Sequence, residues 1–123
     1  MVSQFVKHYK GLGDTSVYKV LYEEQIDVEL KITSKTIQVD VLSYNWNENK
    51  WQYLELYFKD VQDFVLKQND MVLNDVFIED GALITFDFFP VDFFHYTTEN
   101  SDSPFKIKCL SFEYKVVKDK LDS

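Results

Sequence analysis

At 123 residues the chain is long enough to bury one core without disulfides or metal and too short for two, so a single domain over residues 1–123 is expected. Its net charge of −8, from 21 acidic residues against 13 basic ones that are all lysine, repels phosphate backbones and anionic lipid, and the lack of arginine removes the planar fork that grips phosphate and guanine edges. Nucleic acid and membrane are excluded as expected partners, and so is disorder, because 11 Phe, 8 Tyr and 2 Trp supply burial that offsets chain entropy.

In chain order, Met1 to Lys10 reads as a short helix or an edge strand before the break Gly11-Leu12-Gly13-Asp14. These first residues lack the apolar run of a signal peptide, and the single Cys109 has no internal disulfide partner, so a reducing cytoplasm is the expected location. Val17 to Tyr22 reads as a strand. From Gln25 to Ile32, Ile26, Val28, Leu30 and Ile32 alternate with polar residues, the pattern of a strand with one buried and one wet face. Thr33-Ser34-Lys35 then reads as a turn, and Ile37, Val39 and Val41 as the apolar face of a second strand paired with the first. After the Asn-rich break at 45–50, Leu54, Leu56 and Phe58 fill one face of a strand and Trp51, Tyr53, Glu55 and Tyr57 the other. That second face is aromatic, so it is either covered or carries a cross-strand aromatic ladder on a partly exposed surface.

Residues 60–68 read as a turn leading into a strand. A short strand at Val76-Phe77-Ile78 reaches a tight turn at Glu79-Asp80-Gly81, and Ala82 to Phe88 returns with Ile84, Phe86 and Phe88 on one face. Pro90 ends it, and Thr97 to Pro104 is a polar loop. In the last strand the apolar parity moves from Phe105, Ile107 and Cys109 to Leu110, Phe112, Tyr114 and Val116, which implies a bulge or bend near Cys109-Leu110. Cys109 itself reads as a buried core thiol. The expected fold is all-β, or β-rich α+β: an antiparallel sandwich or small barrel of about seven to nine strands with at most one or two short helices.

Six aromatics crowd residues 86–96 around the end of a strand. Phe89, Phe93, Phe94 and Tyr96 lie at or beyond Pro90, where loops run over the surface, so they are candidates for the apolar centre of a partner interface with Asp87 and Asp92 on its acidic rim. The competing reading folds this loop back as a lid over an open sheet face. Asp87, Asp92 and His95 lack zinc or EF-hand spacing, His8 and His95 sit in no nucleophile motif, and the Gly11/Gly13 pair makes no phosphate loop; no catalytic residue, metal or cofactor is expected.

The run Trp51 to Val61, a strand followed by an Asp-Val turn, together with the later Ile84-Thr85-Phe86-Asp87, resembles a group of small bacterial all-β proteins that includes presumed immunity proteins of toxin systems. The resemblance implies no catalytic residues and points to a non-enzymatic protein-binding domain, in its sharpest form one that neutralises a toxin. An acidic surface suits a basic partner, both in steering the encounter and in competing for a phosphate-binding surface. The alternative is a small barrel whose aromatic interior holds an apolar ligand, and an enzyme comes third.

Overall fold

A computed structural model of the protein describes residues 2–9, 15–67, 71–72, 76–88 and 103–121. A helix, α1 (Val2–Tyr9), precedes β1 (Thr15–Asp27), β2 (Ile32–Asn45), β3 (Lys50–Leu66), β4 (Met71–Val72), β5 (Val76–Asp80), β6 (Leu83–Asp87) and β7 (Phe105–Asp119). The strands pair antiparallel in one open sheet of order β4-β1-β2-β3-β7-β6-β5. Five of them, β1, β2, β3, β6 and β7, carry its body. β4 touches one edge over Thr15 and Ser16 only, and β5 is the outer leg of a hairpin at the other edge. Among the described residues no helix is long and apolar enough to cross a membrane.

The mostly β, antiparallel architecture with one short helix agrees with expectation; the sandwich or barrel of seven to nine strands does not. Strand length is the physical reason. β1, β2, β3 and β7 run for 13, 14, 17 and 15 residues, far beyond the usual five or six, because segments that read as turns, at 33–35 and after Asp60, lie inside the ladders. Five long-paired strands therefore make the body of one open sheet.

The β3–β7 ladder is interrupted at Asp60, which adopts φ 52°, and at a register shift between Val61 and Asp63 opposite Cys109 and Lys108. Both strands change parity there together. On β3 the buried apolar residues are Leu54, Leu56 and Phe58, then Val61; on β7 they are Phe105, Ile107 and Cys109, then Phe112. Phe58 lies opposite Phe112, and Val61 opposite Cys109. The expected irregularity on β7 thus resides in its neighbour, and Leu110, expected to share the buried parity of Phe112, is exposed. Extra residues of this kind bend a strand and sharpen its twist. On the core side the Phe86 ring of β6 meets Phe58 of β3 edge-on at 5.4 Å between centroids.

One face of the sheet, the inner one, holds the core. Ile37, Val39 and Val41 of β2, Leu54, Leu56 and Phe58 of β3, and Phe86, Phe88, Phe105 and Ile107 are all fully buried. Helix α1 packs on this face against β2 and β7. Val2, Phe5 and Tyr9 fall on one helical face and are buried, with the Phe5 ring 5.3 Å from Phe112 and 5.2 Å from Tyr114. A helix of eight residues is marginal in water, so this packing is what holds it. The short-helix reading of residues 1–10 is the one realised.

Two hairpin turns complete the frame. Asp80 pairs with Leu83 across the loop Gly81-Ala82. Gly81 has φ 62°, the left-handed angle that a type II′ turn needs at its first central position. Asn45 pairs with Lys50 across Trp46–Asn49, where Asn45 Oδ1 accepts from the backbone N–H groups of Asn47 (2.9 Å) and Glu48 (3.0 Å) and Asn49 takes φ 56°.

Candidate binding surfaces

The β1–β2 hairpin departs most from its sequence reading. Its turn is Val28–Lys31, between the paired residues Asp27 and Ile32, and not Thr33–Lys35. Alternation runs unbroken through 25–32, and alternation alone cannot mark where a strand folds back. The Asp27 carboxylate marks it: Oδ1 accepts from the N–H groups of Glu29 and Leu30, both at 3.0 Å, and Lys31 takes φ 55°. The side chains expected on a buried strand face instead crown a turn, with Ile26 68%, Val28 83%, Leu30 68% and Ile32 56% exposed.

Pairing between β2 and β3 stops at Thr36 and Lys59, so residues 23–35 form an arm of two strands beyond the β2–β3 ladder, with Phe64 of β3 against Tyr22 at its base (5.2 Å between ring centroids). Glu23, Glu24, Asp27 and Glu29 sit on it against Lys31 and Lys35. An aliphatic tip on an acidic stem results.

The second surface is the outer face, opposite the core. There Tyr44 lies across from Trp51 and Leu42 from Tyr53. The Tyr44 ring contacts Trp46 at 4.9 Å and Trp51 at 5.5 Å, and Tyr18 meets Tyr53 at 5.8 Å, all edge-on. Tyr18 and Trp46 are more than half exposed. Of the two readings left open for this strand, the partly exposed aromatic ladder is the one found. Lys118 stands 5.2 Å above the Tyr53 ring, a cation–π distance. Asp40 and Glu55, directly opposite each other, both accept from Gln38 Nε2, at 2.9 and 3.0 Å. Burial first, then these two carboxylates, push the Tyr18 hydroxyl pKa upward.

A polar cluster lies where α1 ends over the β2–β3 turn. Gln52 Oε1 accepts from the Tyr9 hydroxyl (2.8 Å) and from Asn45 Nδ2 (2.9 Å), while Gln52 Nε2 donates to Asp119 Oδ1 (2.9 Å) and Glu48 Oε2 (3.3 Å). Asp119 also accepts from Lys50 Nζ at 2.9 Å, and the Trp46 N–H donates to the His8 carbonyl at 2.8 Å. Burial pushes the Tyr9 pKa up to about 12, and the bonds from Gln52 and Lys50 lower that of Asp119. Both hydrogen-bonding ends of Gln52 are occupied by protein groups. The cluster therefore works as a latch between α1, the turn and the end of β7.

Of the residues singled out in the sequence, Phe89, Asp92, Phe93, Phe94, Tyr96 and His95 lie outside the described residues. Asp87 is fully buried, opposite Lys106, itself buried. Cys109 is buried as expected, and desolvation raises its pKa to about 11. Trp51, Tyr53 and Tyr57 face outward while Phe86 and Phe88 face the core, so these rings do not converge on one cavity as a ligand-holding barrel requires. Among the described residues no group of three His, Cys, Asp or Glu is placed to hold a metal ion. The arm tip went unrecognised in the sequence; its one signal is Asp27 ahead of a four-residue run, an Asx turn without the usual glycine. No family model, curated protein or solved structure compared with this chain matches it.

Proposed function

We propose that this chain is a non-enzymatic protein-binding domain whose β1–β2 arm docks a protein partner. The observation that carries this reading is the set Ile26, Val28, Leu30 and Ile32, four large aliphatic side chains each more than half exposed at one tip. Such clustering costs solubility and contributes nothing to the core, whereas scattered exposed aliphatics are unremarkable. In a partner's apolar groove the same four residues would form the dry centre of an interface, with Glu23, Glu24, Asp27 and Glu29 as a polar rim that steers a basic partner. Neutralising a basic toxin in the cytoplasm is the sharpest form of this reading, in keeping with the resemblance of residues 51–61 and 84–87 to presumed immunity proteins. The aromatic segment 89–96 belongs to the same proposal as a second contact.

The experiment compares capture from native cell extract by the unaltered chain and by Val28→Asp/Leu30→Asp, followed by hydrogen exchange on the captured complex. Loss of the captured protein with the variant, and protection of residues 23–35 in the complex, are expected. Equal capture by both chains, or protection elsewhere only, would overturn the arm as the docking element.

A further inference from the structure

An open sheet leaves backbone groups without a ladder only along its edges, and most of β1 is such an edge. β4 covers it at Thr15 and Ser16 alone, and the one irregularity in its pairing with β2 falls between Val17 and Lys19. From there to Asp27 the register on β2 is continuous, and among the described residues no strand pairs with the other side of 19–27. Successive residues turn their N–H and C=O groups alternately to the two sides of a strand, so about half of those in 19–27 point away from β2. Proline and bulges, two devices that blunt an edge, are absent from this stretch. Its residues from Leu21 to Asp27 are all exposed. On the opposite side of the arm, β2 leaves only residues 32–35 beyond its ladder with β3.

Register sorts the side chains of this edge. Val20 lies opposite Val39 and Tyr22 opposite Ile37, both buried, so Val20, Tyr22, Glu24 and Ile26 share the core-side parity, and Lys19, Leu21, Glu23, Gln25 and Asp27 take the outer side. On the core side Glu24 already faces Lys35 across the ladder. On the outer side Glu23 faces Thr36 and Asp27 faces Ile32, so neither has a cation across its ladder, and neither forms an ion pair among the described residues. A strand added on the open side would set side chains directly against these two carboxylates, which stand four residues apart, and apolar ones against Tyr22 and Ile26. We infer that the open edge of β1, over residues 19–27, takes an extended basic segment of the protein partner as an added antiparallel strand, with lysine or arginine set against Glu23 and Asp27. This rests on the arm being a docking element and names the kind of segment it takes.

Titration of the full chain with a short labelled peptide that alternates lysine with valine tests it. Binding at least about tenfold tighter than that of the glutamate–valine counterpart is expected, with amide exchange, read by NMR, slowed at alternate residues of 19–27. Glu23→Lys/Glu24→Lys should reverse the preference between the two peptides, and its circular dichroism should match that of the unaltered chain because both positions are exposed. N-methylation separates strand pairing from charge alone. Methyl groups on every second residue block one edge of the peptide, so methylation at the lysines and at the valines should differ, one weakening binding at least about tenfold and the other leaving it unchanged. A peptide that does not bind, binding indifferent to which residues are methylated, or slowed exchange at the tip alone would overturn the proposal. Dimers of the full chain that protect 19–27 without peptide would give the edge to a second copy and overturn it as well. A peptide that does not bind, together with partner capture lost on Val28→Asp/Leu30→Asp, would defeat strand addition alone and leave the arm as a docking element.

Discussion

Two turns of this protein share a backbone and differ in everything attached to it. Asp27 and Asn45 each accept two backbone N–H groups through a side-chain oxygen, and Lys31 and Asn49 each close the four-residue loop in a left-handed conformation. The Asn45 turn is polar in its loop, bonded to α1 through Trp46 and the His8 carbonyl, and underlain by the buried amides of Asn45 and Gln52. The Asp27 turn carries Val28 and Leu30 into solvent. One turn joins three parts of the fold. The other carries its aliphatic side chains into solvent, the contrast on which our docking proposal rests.

The largest expected effect breaks the latched turn. Gln52→Leu leaves the Tyr9 hydroxyl and the Asn45 amide short of a partner beneath α1, and buried polar groups so stranded cost about 1–3 kcal/mol each. A loss of about 3 kcal/mol in urea unfolding is expected, a large share of the 5–15 kcal/mol typical of a domain. Little change would mean that water replaces the amide and that the latch is not structural.

The same latch carries a pH signature, shared with the buried Cys109 thiol. Burial raises Tyr9 from 10.0 to about 12 and Cys109 from 9.0 to about 11. The unfolded chain therefore releases these protons first, so stability is complete below pH 9 and falls as pH rises through the folded values. Tyr9→Phe should remove the upper part of that fall, seen as a flatter dependence of urea midpoint on pH, at a cost of about 1 kcal/mol for the lost hydrogen bond at neutral pH. An unchanged alkaline slope would place the titrating group elsewhere.

Asp27→Ala probes the free turn with a smaller expected effect. Its two bonds are exposed to water, and the cost should be about 1 kcal/mol or less. Hydrogen exchange should quicken at Glu29 and Leu30 while Asn47 and Glu48 keep their protection. Equal acceleration at both turns would show that the arm is coupled to the body of the sheet.

These differences explain what the sequence made legible. The break at 45–50, the inner and outer faces of 51–58, the turn at Gly81 and the buried thiol of Cys109 all followed from side-chain chemistry tied to one conformation: Asx turns, period two, glycine at positive φ. The parity change in the last strand was visible too, although its cause lies in the neighbouring Asp60–Gln62, which only pairing reveals. The Asp27 turn stayed hidden because lysine occupies the left-handed position and apolar residues fill the loop, so the period of a strand passes through it unbroken. A sandwich was expected because turn-like segments were counted as strand ends; long strands bent by a bulge satisfy the same apolar pattern with one sheet. The tip, a binding surface in our reading, breaks the local rules, and buried-strand patterning disguised it as core.

The smallest expected effect on stability belongs to the variant that most directly tests the central claim. Val28→Asp/Leu30→Asp alters the tip alone, and substitutions at such exposed sites ordinarily shift stability by about 0.5 kcal/mol or less. A thermal melt and a binding measurement on one preparation of this variant decide the matter together. A melting midpoint within a few degrees of the unaltered chain and loss of partner capture are expected. A collapsed midpoint would show the tip to be part of the core, and an unchanged midpoint with unchanged binding would leave its exposed aliphatics without the role assigned to them.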